Sequence, residues 1–153
     1  MEQKVITPEE KLQSLGLRLK EVRPSAGNYV SHVRVGNLIF TAGQGVDEYH
    51  GKLGRELTLE EGYTAARQSM LNLLSVLKYE LGDLSRVKRI VKLLGFVNST
   101  EDFTDQPKVM NGASDLLVEV FGDRGIHARS ALGMAQLPNN TAVEIEMIVE
   151  VKD

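Results

Sequence analysis

The sequence predicts an α+β domain, a mixed sheet with its two main helices packed on one face. Residues 58–81 and about 104–121 place apolar side chains three and four apart, the period of an amphipathic helix. Residues 142–151 alternate instead: Val143, Ile145, Met147, Val149 and Val151 oppose Glu144, Glu146, Ile148 and Glu150, the period of a half-buried strand. The elements run helix, hairpin, helix, strand, helix, hairpin, an order that segregates the helices to one side of the sheet.

Thr7-Pro8-Glu9-Glu10 supplies a hydroxyl N-cap, a proline at the first helical position and a glutamate three residues after the cap, and Gly16 ends this helix of about residues 8–15. Tyr29 to Thr41 is interrupted only by Gly36-Asn37, which suits a two-residue hairpin turn. Ala42-Gly43-Gln44-Gly45 then strips side chains from the strand's exit, and His50-Gly51 and Gly54 prolong a loop. Thr58 and Glu61 form a capping box for the long helix, whose stripe runs from Leu59 through Tyr63, Ala66, Met70, Leu73, Leu74 and Leu77 to Leu81; Gly82-Asp83 stops it. Val87 to Val97 reads as a buried strand. Thr104, Asp105 and Pro107 open the second main helix, striped by Val109, Met110, Ala113, Leu116, Leu117, Val120 and Phe121 and closed by Gly122.

His127–Gln136 and Ala142–Val151 flank Leu137-Pro138-Asn139-Asn140, a connection short enough for a hairpin. Such pairing puts Leu132 and Met134 on the core face. Arg129, Ala131, Gly133 and Ala135 then lie beside Glu144 and Glu146 on the other face. A face of small residues with embedded charges suits close approach by another subunit, with a cleft kept between them.

The 153 residues make one domain, 1–153, with about 1–22 as a short helical extension, and are enough to bury a core without cross-links. Apolar residues are 42% and charged residues 25%, ordinary for a water-soluble globular domain, and no run approaches the ~20 apolar residues of a membrane span. The absence of cysteine excludes disulfides, thiolate nucleophiles and zinc–sulfur sites. A net charge of -3 offers no basic footprint for phosphates and counts against nucleic acid as a partner. The start, MEQKVITPEEK, lacks the apolar core of a secretory signal and carries too many acids for a transit peptide, which predicts a cytoplasmic protein.

Arg129 stands among small residues, with room to offer a planar fork to a carboxylate or phosphate, and Glu144 could orient or deprotonate a water. Their spacing equally fits an ion pair across the hairpin. His32, His50 and His127 have no metal-ligand spacing; His127, two residues before Arg129, reads either as a cleft residue or as structural. Gly43-Gln44-Gly45 precedes no helix start, so a turn is as good a reading as a phosphate loop. Tyr29 could close over a small ligand or be merely half-buried, and Asn111 follows core-facing Met110 where an amide can meet a cleft.

The segments GNYVSHVRVGNLIFTAGQG, VKRIVKLLGFVNSTEDF and HARSALGMAQLPNNTAVEIEMIVEV together resemble the RidA (YjgF-like) family, once called L-PSP endoribonucleases. The likeness spans roughly residue 27 to the end, and the ARS, LP and VEIE spacing is its most specific part. The resemblance implies a chorismate-mutase-like fold and a homotrimer with a barrel-like centre, helices outside and clefts between subunits. It implies hydrolysis of reactive 2-imino and 2-enamino acids to 2-oxo acids and ammonia, with no metal or cofactor. Arg129 would bind the substrate carboxylate and Glu144 would position the attacking water, while Tyr29, Gly43, Asn111 and Ala131 match substrate-binding positions. Two departures stand out, Ala131 where the family often has cysteine and Ala42 where it often has serine. With the extra N-terminal helix and the longer 104–108 segment, they mark a distinct subgroup. Two rival functions follow: a non-catalytic trimer that binds carboxylate metabolites as a sensor or chaperone, and an endoribonuclease.

Overall fold

A computed structural model describes residues 5–153. Residues 1–4, which open the segment read for compartment and the 1–22 extension, lie outside the described residues.

The predicted helices form where their caps place them. The Thr7 hydroxyl accepts from Glu10 N–H at the start of α1 (Pro8–Ser14), whose Leu12 is buried in the core. Thr58 and Glu61 close both halves of the capping box of α2 (Leu59–Leu81), and Gly82 ends it in the left-handed region at φ 76°. Helix α3 (Gln106–Phe121) starts at Asp105 with proline in its first turn and stops at Gly122. The hairpin β1 (His32–Val35) and β2 (Leu38–Thr41) turns at Gly36-Asn37, with Gly36 at φ 57°. The remaining strands are β3 (Val87–Asn98), β4 (Ala128–Met134) and β5 (Val143–Val151).

The strand order is β1-β2-β5-β3-β4, with β3 and β4 parallel and every other pair antiparallel. Helices α2 and α3 pack together on one face. Beneath them Ile39, Ile90, Leu93, Val97, Val143, Ile145 and Val149 are fully buried. The odd residues of β5 face this core, as the alternation predicts. At the α2–α3 contact Gly112 lets the backbones meet: a Cβ there would sit 2.0 Å from the Tyr63 carbonyl oxygen.

The predicted last hairpin does not form. Strand β4 pairs with β3, and β5 lies on the far side of β3, so the 135–142 connection passes over the end of β3. The register through β3 sets odd residues of β4 level with odd residues of β5, one residue off the pairing inferred for a hairpin, and this reverses the inferred faces. Arg129 registers with Leu93 and Met147, Ala131 with Gly95 and Ile145, and Gly133 with Val97 and Val143, so all three lie on the helix face. Leu132 lies on the outer face, 47% exposed, rather than in the core. The outer face therefore carries Val33, Val35, Phe40, Leu94, Phe96, Leu132 and Ile148, large apolar residues rather than the small ones expected, together with Glu144, Glu146 and Lys92. Among the described residues no helix is long and apolar enough to cross a membrane.

Candidate active site

The site residues named from the sequence fall into two clusters. The first surrounds a cleft of about 270 Å³ at the exit of β2, lined by Tyr29, Gly43, Gln44, Asp47, His50, Asn139 and Glu144, with Arg23 at its side. Gly43-Gln44-Gly45 is an extended passage, neither a phosphate loop nor a tight turn. Gln44 exchanges both backbone hydrogen bonds with Ile145 at 2.9 and 3.1 Å. Helix α2 holds the passage down, Ser69 Oγ donating to Gln44 O at 2.7 Å and Asn72 Nδ2 to Gly45 O at 2.9 Å.

Glu144 enters this cleft across Gly43, where a Cβ would lie 2.9 Å from its Cδ and Oε1. Among the described residues its carboxyl makes no hydrogen bond or ion pair. Partial burial, and secondarily the negative charge of Glu146, hold its pKa above the ordinary value. Tyr29 remains 57% exposed, its Oη accepting from Ala26 N–H at 3.4 Å. Arg23 donates to Asp47 at 2.7 Å, and His50 sets its ring nitrogens against the Asn139 and Asp47 carbonyls at 2.9 and 2.8 Å.

The second cluster lies between β4 and α3. Arg129 Nη1 donates to Asn111 Oδ1 at 2.9 Å and to Ser114 Oγ at 3.1 Å. Ser114 Oγ is in turn 2.9 Å from His127 Nε2, and His127 Nδ1 is 2.7 Å from Gly125 O. Ala131 follows on the same strand face, packed against the core. The sequence reading joined Asn111 and His127 to this neighbourhood but missed Ser114. Its signal was present: Ser114 lies three residues after Asn111, one turn along the same helix face. Arg23 was missed for want of any pattern in its loop.

Arg129 and Glu144 do not meet within the chain. Arg129 registers with Leu93 of β3 and Glu144 with Phe96, on the two strands that flank β3. Three residues along and two strand spacings across put their Cα atoms roughly 14 Å apart, with side chains on opposite faces. This overturns the expectation that they share a face, and with it the ion pair across a hairpin. Among the described residues, what remains is an arginine with no acidic partner and a carboxyl with no cationic one.

A five-stranded sheet covered on one face by two helices, with two incomplete polar clusters at opposite sides, defines an α+β chain of the chorismate-mutase-like class. Residues 9–151 match the family model described as "YjgF/chorismate mutase-like, putative endoribonuclease", and the chain belongs to this YjgF/RidA family. It is 47% identical over 148 residues to Protein TCP17 of Trypanosoma cruzi, covering 93% of this chain and 92% of that one. It is 30% identical over 131 residues to the 2-iminobutanoate/2-iminopropanoate deaminase of Dermatophagoides farinae, covering 82% of this chain and 88% of the relative. A crystal structure from Shewanella oneidensis superposes with TM-score 0.92 at 38% identity, covering 95% of this chain and 99% of that one.

Proposed function

We propose that this protein hydrolyses reactive 2-imino and 2-enamino acids to 2-oxo acids and ammonia, at sites completed where Arg129 of one copy meets Glu144 of the next in a homotrimer. The observation that carries this is the pair of unmatched half-sites. Each offers what the other lacks, and the exposed apolar outer face gives copies a reason to associate. A family relative whose name is that of a deaminase supports the same chemistry.

The reaction asks little of the protein. An imine carbon is already electrophilic, so holding it beside a water supplies most of the help. Arg129 binds the carboxylate through charge-assisted bonds. Glu144 takes a proton from water as its oxygen adds to C2, and a carboxyl whose pKa is raised is a stronger base once ionised. That proton passes to nitrogen, giving a carbinolamine; Glu144 then carries the hydroxyl proton to the amine as the C–N bond breaks, so that ammonia leaves, the 2-oxo acid forms and the carboxylate is restored. Water is the only co-reactant, and no electrons change hands. Gly43 and Tyr29 shape the wall beside Glu144, and Ala131 extends the Arg129 side.

The test couples an amino-acid oxidase, which generates imines of chosen side chains, to measurement of ammonia release. Release faster than spontaneous hydrolysis is expected. Tight binding of 2-oxo acids with no acceleration of any imine would instead establish the sensor reading.

A further inference from the structure

We propose that Ser114 and His127 are positioning residues that present one edge of the Arg129 guanidinium to a carboxylate; the inference builds on the clamp role given to Arg129 above. The argument is a count of hydrogens. The Gly125 carbonyl can only accept, so the 2.7 Å contact places the proton of a neutral His127 on Nδ1. Nε2 is then an acceptor, and the Ser114 hydroxyl donates to it at 2.9 Å. With its hydrogen committed to His127, Ser114 Oγ turns a lone pair toward Arg129 Nη1 at 3.1 Å. Asn111 Oδ1 takes the other Nη1 hydrogen at 2.9 Å.

Both hydrogens of Nη1 are thereby used, by two acceptors one helical turn apart on α3. The guanidinium has five donors in a fixed plane, so three remain: Nε–H and the two on Nη2. The Nε–Nη2 side is the edge whose parallel donors match both oxygens of a carboxylate. His127 therefore orients Ser114, Ser114 and Asn111 fix the guanidinium plane, and the free edge is set before any ligand arrives. Preorganisation of this kind strengthens binding by removing the entropy of ordering a long side chain. Ser114 and His127 touch neither substrate nor reacting atoms, so their effect falls on affinity and KM rather than on kcat.

Two measurements test this on the intact protein. Nitrogen NMR of histidine-labelled protein in mildly alkaline buffer should show His127 protonated on Nδ1 alone; protonation on Nε2 would overturn the relay, whatever the activity. Calorimetric titration with 2-oxobutanoate should show Ser114→Ala binding about tenfold more weakly, the scale of one lost charge-assisted bond. Ser114→Thr, which keeps the hydroxyl, should retain wild-type affinity, and His127→Phe should resemble Ser114→Ala, with kcat for imine hydrolysis little changed in all three. If Arg129→Ala abolishes binding while Ser114→Ala leaves it untouched, the relay fails and the clamp stands. A wild-type protein that binds no 2-oxo acid would overturn the clamp itself.

Discussion

A methyl group added at Gly43 would lie 2.9 Å from Cδ and Oε1 of Glu144, closer than side-chain packing allows. The atoms it meets are the tip of a flexible side chain, which can swing aside at little expense to folding. Gly43→Ala should therefore keep stability within about 1 kcal/mol in denaturant titrations, yet lower imine turnover by displacing the carboxylate. Glu144 itself makes a second prediction. Its raised pKa, caused first by desolvation and then by Glu146, means the folded chain binds this proton more readily than the unfolded chain does. Ionised Glu144 is thus a destabilising group in the neutral range. Its penalty fades as pH falls through the raised pKa and is gone below the ordinary carboxylate value. Glu144→Gln should accordingly raise Tm at neutral pH, with the two proteins converging in acid, while turnover falls by about 100-fold or more, the scale of a lost general base. Equal Tm values at neutral pH would contradict the desolvation of Glu144, and retained turnover would remove it from the mechanism.

At the scale of elements, what the sequence disclosed depended on whether the signal was local. Caps at Thr7 and Thr58, the stop at Gly82, the Gly36-Asn37 turn and the apolar stripes of α2 and α3 are each contained within a few residues, and each stands where predicted. Strand adjacency is not local. A short loop between β4 and β5 reads as a hairpin, but β3 occupies the space between them, and the left-handed Asn139 and Asn140 lie in the connection that passes over its end. The β3–α3–β4 order was the available clue, because a strand, helix and strand favour parallel neighbours. Since the register across β3 sets odd residues of β4 level with odd residues of β5, Arg129 lies beside Asn111 rather than beside Glu144, and it was the pairing argument that misplaced it. Bulges in β3 add to this, bringing Ile90 and Leu93 to the same face although they are three residues apart. The seat of α3 also carries a prediction. Gly112→Ala would drive a methyl into the Tyr63 carbonyl on α2, backbone that cannot step aside. It should destabilise by about 1–3 kcal/mol, the usual range for overpacking, and weaken 2-oxo acid binding, because Asn111 and Ser114 ride on the same helix. Denaturant unfolding beside calorimetry reads both, and an unchanged midpoint would refute the close-packing argument.

For the molecule as a whole, the outer sheet face is the feature that a lone chain leaves unaccounted for. Val33, Val35, Phe40 and Leu132 stay between 42% and 61% exposed on it, an apolar surface of the kind that subunit contacts cover. Light scattering at micromolar concentration should find a trimer. The central claim, that a working site takes Arg129 from one copy and Glu144 from another, is tested most directly by complementation. Arg129→Ala and Glu144→Gln proteins should each be nearly inactive in the ammonia assay. Co-expressed and purified as mixed assemblies, verified by native mass spectrometry, they should regain about a third of wild-type turnover, since every mixed trimer pairs an intact Arg129 with an intact Glu144 at one interface in three. Mixed assemblies as inactive as either parent would contradict the account.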